Sequence, residues 1–317
     1  MRRKAVSGEW RVANRGASRI PFAIRHSLFA LAALLFSASA QAQVQLATIA
    51  AHPALWTVHS PTATVTLFGS IHLLPANVQW HTLAIDRAME GADTFVFEAP
   101  LDDAGKAAVA DFVRKNGALP AGTTLRSLLP KETLADYGRA LTIAHLAPEQ
   151  LDGERPWLAA IVIDVSYLQQ MHYVVADGVD QQVYAYAKAH NKTVHNFETP
   201  EQQLSMFMPK NKSLEIAEFE TDLKEFQTEQ SGIGAMVDAW GEGDAKRVGR
   251  LVNKELDSAP DVRKILLDDR NKAWIKQLDE MLASHGTYFV TVGTGHLVGP
   301  KGVPALLRAR GYRVDGP

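Results

Sequence analysis

Residues 66–75, TLFGSIHLLP, run from a β-prone segment through a glycine to a histidine three positions on, and residues 290–299, VTVGTGHLVG, repeat the design near the other end of the chain. Each follows a run of β-branched and aromatic side chains, 64–68 and 288–292, which reads as a strand. Gly69 and Gly293 are expected to turn the chain sharply off each strand and bring His72 and His296 back over the sheet edge. Two more β-like runs end in an acid: residues 94–97 lead into Glu98 and residues 193–197 into Glu198. In a parallel sheet the ligand site lies outside the carboxyl ends of the strands. Four strands therefore deliver two imidazoles and two carboxylates to one edge.

Working outward, residues 55–59 and 64–68 flank Ser60-Pro-Thr-Ala and read as an N-terminal hairpin. Helical spacing over 81–90, between the strand at 64–68 and that at 94–97, implies a right-handed parallel crossover. Residues 101–190 are read as mostly helical, with 156–168 as an apolar core helix too short for a membrane span. Asp180, at the end of Asp177-Gly-Val-Asp180, is read as the N-cap of a helix over 181–190. Residues 213–230 read as an amphipathic helix with a solvated acidic face. Helices around 232–253, 260–284 and 302–310 and a short strand at 312–314 complete the pattern. The fold class is α/β: a central, mostly parallel sheet with an N-terminal hairpin, flanking helices and a large helical insert.

Residues 1–42 read as an export signal, with a basic stretch, the apolar core of residues 28–36 and the small-x-small site Ala40-Gln-Ala42. The remaining 43–317 form one domain, expected to be periplasmic or secreted and without a stable membrane span. The whole chain carries 33 Lys and Arg against 35 Asp and Glu. Losing seven basic residues and Glu9 with the signal leaves 26 − 34 = −8, which argues against a nucleic-acid partner. There is no cysteine, so disulfides and thiolate metal sites are excluded.

Two histidines and a carboxylate are a common divalent-metal set with open positions for water and substrate. Taken singly, each histidine is more often a satisfied turn residue. Glu98 and Glu198 read equally as surface charges, and Glu198 before Thr199-Pro200 as a helix cap. Arg270 by chemistry alone is an exposed side chain whose stem covers Trp274.

The segments 67–75 (LFGSIHLLP), 96–98 (VFE), 178–180 (GVD), 197–199 (FET), 239–244 (AWGEGD), 270–274 (RNKAW), 292–299 (VGTGHLVG) and 311–314 (GYRV) resemble the TraB/GumN family. That family is related to the TIKI-type metalloproteases and more distantly to the erythromycin-esterase and ChaN folds. Phe197 stands where Leu is more usual, and Val179 where Ile is. The resemblance implies an α/β fold with both histidines and the strand-end glutamate at the site, and in the TIKI branch a Mn- or Co-dependent peptidase. It also brings Arg270 and Asn271 into the site.

A metal-dependent hydrolase follows as the leading expectation, with Mn or Co ahead of Zn on His72, Glu98 and His296. Glu198 would move the proton from water to the leaving amine, while Arg270 and Asn271 steady the developing charge. The substrate would be a peptide or small molecule. One alternative is a non-catalytic protein that sequesters a peptide, metal or porphyrin. A minor one is a dinucleotide site on residues 293–299, with Asp315 as the ribose-binding acid.

Overall fold

Ser60 starts the sheet. Its Oγ accepts the Ala63 N–H at 2.9 Å and closes the turn between β1 (Leu55–His59) and β2 (Ala63–Ser70), an antiparallel hairpin. The computed structural model describes residues 47–209, 211–228, 232–257 and 259–317. The signal expected over 1–42 lies outside the described residues.

From β2 the chain crosses through helix α1 (Leu83–Gly91), capped by Thr82, to β3 (Thr94–Phe97). Helices α2 (Asp103–Asn116), α3 (Lys131–Ala144), α4 (Pro156–Gln170) and α5 (Val179–Ala189) then lead to β4 (Thr193–Asn196). A second helical block, α6 (Pro200–Ser205), α7 (Lys212–Thr228), α8 (Gly232–Gly241), α9 (Ala245–Leu256) and α10 (Asp269–Ala283), precedes β5 (Gly286–Gly293). Helix α11 (Val303–Ala309) and the edge strand β6 (Arg313–Asp315) close the chain.

The sheet order is β6-β1-β2-β5-β3-β4, and the four strands from β2 to β4 run parallel to their neighbours. Both faces are covered, as the near-continuous apolar strands require. On one face Phe68, Phe95, Phe97 and Phe289 meet the large helical block, where α4 is buried along most of its length. On the other, Val65, Leu67, Val96, Val290 and Val292 meet Trp274, Ile275 and Leu278 of α10 and Leu307 of α11. Among the described residues no helix is long and apolar enough to cross a membrane.

Three expectations are corrected. Residues 232–253 are not one helix: Gly243 adopts φ +69° and Asp244 caps a new start at α9. Glu215 of α7 is not solvated, because Arg155 forks onto it at 2.9 and 3.2 Å inside the helical layer. Asp180 is not an N-cap; α5 begins at Val179, with Gly178 ahead of it and no side-chain cap.

Candidate functional site

The carboxyl ends of β2, β5, β3 and β4 lie side by side, so the residues just past them share one rim of the sheet. The structure brings His72, Glu98, Glu198 and His296 together there and adds Arg270, Asn271, Asp180 and Gln203. Glu98 is the hub. Its Oε1 accepts the Gly293 backbone N–H at 2.6 Å, and its Oε2 accepts Arg270 Nη2 at 2.5 Å and Gln203 Nε2 at 2.9 Å. Burial opposes its charge most, but the Arg270 guanidinium, His296, His72 and the Gly293 N–H together outweigh it and hold its pKa down at about 2.

The glycines act differently from the expected sharp turn. Gly69 lies inside β2, and a Cβ there would meet Thr294 Oγ1 at 2.8 Å, so its small size lets the His296 turn close against the strand. Its carbonyl is held from the helical side by Trp240 Nε1 at 2.8 Å. Gly293 supplies a backbone donor to Glu98.

Arg270, expected to be exposed, is buried. Its Nε and Nη2 fork onto Glu198 at 2.8 Å each, and its Nη1 reaches the Leu266 carbonyl at 3.2 Å and His296 Nε2 at 3.0 Å. Helix α10 presents Arg270, Asn271 and Trp274 toward the rim, and Leu266 belongs to the wide π-type turn that leads into it. Such turns recur at functional sites. Trp274 stacks on Phe197 at 5.1 Å, lies 4.7 Å from the guanidinium, and donates Nε1 to Glu198 at 2.9 Å. Glu198 does not cap α6; Thr199 does, accepting the Gln202 N–H at 3.2 Å.

The protonation of His296 follows from its partners. A guanidinium can only donate, so Nε2 must accept and Nδ1 must carry the hydrogen. That hydrogen goes to Asn271 Oδ1 at 2.6 Å, an amide whose Nδ2 is already committed to the Lys301 carbonyl at 2.9 Å. Burial first, and then the adjacent Arg270 charge, push the His296 pKa down to about 3, so the ring is neutral.

His72 is built otherwise. Its Nδ1 donates to Asp180 Oδ1 at 3.0 Å, both groups being buried. Asp180 reaches it because Gly178 packs where a Cβ would stand 2.1 Å from the His72 carbonyl, and Val179 N–H bonds the Ile71 carbonyl at 3.0 Å. Burial alone would depress the imidazolium, but the Asp180 charge and hydrogen bond, with the Glu98 charge, outweigh it and raise the pKa above 6.5. No hydrogen bond to His72 Nε2 is made among the described residues. The ring borders a small cavity shared with Glu98, Asp180 and Gln203, with room for about one water molecule.

Asp180 and Gln203 escaped the reading of single residues. The glycine two positions before Asp180 was the available signal for the first; the second has none in its local sequence.

A divalent ion on His72, Glu98 and His296 would have to displace these contacts. Both oxygens of Glu98 and the Nε2 of His296 are engaged by Arg270, Gly293 and Gln203. As placed, the set does not fit a three-ligand ion, and among the described residues no group of three His, Asp or Glu is arranged to hold one. Nor is there a cradle for a dinucleotide phosphate: the Gly293 N–H is taken by a carboxylate, and Asp315 sits on the edge strand paired with Arg313 at 3.0 Å.

The model of a family described as TraB/PrgY/gumN matches residues 54–316, nearly the whole described chain. No curated protein and no solved structure matches it.

Proposed function

The chain belongs to the TraB/PrgY/gumN family, and from that premise and the rim geometry we propose that it is a hydrolase of peptide amide bonds acting outside the cytoplasm after loss of residues 1–42. The observation that carries the reading is His72: a ring oriented through Nδ1 by Asp180, whose Nε2 has no hydrogen-bond partner among the described residues, at the border of a water-sized cavity beside Glu98. This is the arrangement of a general base. His72 Nε2 takes a proton from water as the oxygen attacks the substrate carbonyl carbon, and returns it to the amine nitrogen as the C–N bond breaks. The imidazolium formed in between is stabilised by Asp180 and Glu98. Glu198, forked onto Arg270, holds that guanidinium in place and leaves the proton transfer to His72. The choice of an amide bond rests on the likeness to TIKI-type peptidases.

A second reading is favoured by charge. Asp180, Glu98 and Glu198 against Arg270 leave two negative charges in a buried rim when His72 is neutral. A divalent ion, Mn or Co ahead of Zn, would cancel them, but recruiting His296 requires Arg270 to give up its bond to Nε2.

The test is incubation of the purified protein with a defined peptide library, read by mass spectrometry, before and after chelation and Mn, Co or Zn add-back. Cleavage indifferent to chelator supports the base reading, and cleavage restored by added metal supports the second. Intact recovery of every peptide overturns both in favour of sequestration.

A further inference from the structure

Ser70 ends β2, and Thr291 lies on the adjacent parallel strand β5, where Phe68 pairs with Thr291 and Ser70 with Gly293. The two side chains are therefore diagonal neighbours on one sheet face. Each is 1% exposed, and neither Ser70 Oγ nor Thr291 Oγ1 has a hydrogen-bond partner among the described residues. Unpaired hydroxyls at such depth are costly, so two in contact with one cavity signal a bound polar group. That cavity is the one bordered by His72 and Glu98, and Phe97, Ala99 and Leu101 supply its apolar wall.

The group that fits is a water molecule. Buried waters typically make about three hydrogen bonds, and three groups with unspent capacity line this cavity: the two hydroxyls and the His72 ring, whose Nε2 has no partner among the described residues. We infer that Ser70 and Thr291 are positioning residues that hold the attacking water against His72 Nε2. The inference rests on the hydrolase reading for what the water does, but not for its presence. Water accepts from one hydroxyl and donates one O–H to the other and one toward Nε2, which leaves a lone pair for the substrate carbonyl. When the C–O bond forms, that proton passes to Nε2, and it leaves with the amine. Ser70 is not itself the nucleophile, because its Oγ makes no hydrogen bond to the His72 ring that would have to deprotonate it.

A high-resolution crystal structure of the protein should show solvent density within hydrogen-bonding distance of Ser70 Oγ, Thr291 Oγ1 and His72 Nε2. In Thr291→Val, which keeps the shape and removes the hydroxyl, that density should weaken and the Tm should fall. For any library peptide that the wild type cleaves, kcat should drop about a hundredfold with KM nearly unchanged, the scale set by misplacing a reacting group. A dry cavity, or a Thr291→Val protein that melts higher than the wild type, overturns the inference. So does a fluorophosphonate adduct on Ser70. Solvent density without any peptide cleavage sinks the hydrolase reading and leaves the water site standing, while cleavage with a dry cavity does the reverse.

Discussion

The corners that carry His72 and His296 share a sequence pattern, a parallel strand end and near-complete burial, yet they finish in opposite chemical states. Each ring is anchored through Nδ1, one by a charged partner, Asp180, and the other by a neutral one, Asn271. The far nitrogens differ more. His296 Nε2 is capped by Arg270, whereas His72 Nε2 has no partner among the described residues and its ring borders a cavity. The first ring is held well below the ordinary histidine pKa and the second above it. Spacing can deliver a histidine to a rim, but what meets its two nitrogens decides whether it reacts or braces.

The hardest blow to this contrast is aimed at His72. His72→Ala should lower kcat by about 10²–10⁴-fold, the range of a lost general base, and it should also lower the Tm because the buried Asp180 loses its partner. Asp180→Asn should lower kcat in the same direction, because the amide can still accept from Nδ1 but no longer carries the charge that stabilises the imidazolium. His296→Ala should instead show chiefly as a lower Tm, since it strands Arg270 and Asn271. Equal activity losses for His72→Ala and His296→Ala would erase the difference between the corners.

Arg270→Met comes next. It removes the cation shared by the buried Glu98 and the partly buried Glu198, a loss worth about 3–5 kcal/mol for a broken buried pair. It also releases Glu98, Glu198 and the His296 Nε2 toward one vacated position. Elemental analysis should find Mn or Co retained by Arg270→Met, and adding either should restore part of the lost Tm. Stoichiometric metal in the wild type, lost in His296→Ala, would invert the comparison and make His296 the reactive corner.

Much of this rim was legible before any coordinates. Strand ends are marked by short β-rich runs, and in a parallel sheet consecutive ends must share an edge, so Glu98, Glu198, His72 and His296 could be placed together. Polarity misled where partners lay far along the chain. Arg270 looks exposed until Glu98, 172 positions away, and Glu198, 72 away, are seen to neutralise it. Glu215 was misjudged for the same reason, its partner Arg155 lying 60 positions off. An aspartate near a helix start reads as a cap because its local partners are the only ones visible in the sequence, whereas packing of Gly178 against His72 turns Asp180 inward. The roles of the glycines were missed because close approach and sharp turning leave the same residue in the sequence.

The pH response separates the corners by sign. Glu98, held at about 2, and His296, held at about 3, both bind protons more readily once unfolded. Their contribution is whole above the ordinary values of 6.5 for histidine and 4.5 for glutamate, and it is lost as pH falls toward the folded values. His72 has the opposite sign: its contribution is whole below 6.5 and fades as pH rises through its raised folded value. Thermal melts should therefore fall steadily below pH 6.5, while kcat/KM should climb through a limb above 6.5 as His72 deprotonates. An activity limb well below 6.5 would assign the base to another group.

The mildest test strikes the anchor of the quiet corner. Asn271→Ala leaves the His296 Nδ1–H and the Lys301 carbonyl without their amide, at a cost of about 1–3 kcal/mol for a buried group stripped of its partner. Arg270 still holds Nε2, so the ring should stay neutral and the pH limb of activity should not move. The Tm alone should drop. If the limb shifts as well, the two corners are coupled through Glu98, which touches Arg270 on one side and shares the His72 cavity on the other. The rim would then act as one titrating unit, with no separation between a reactive ring and a bracing one.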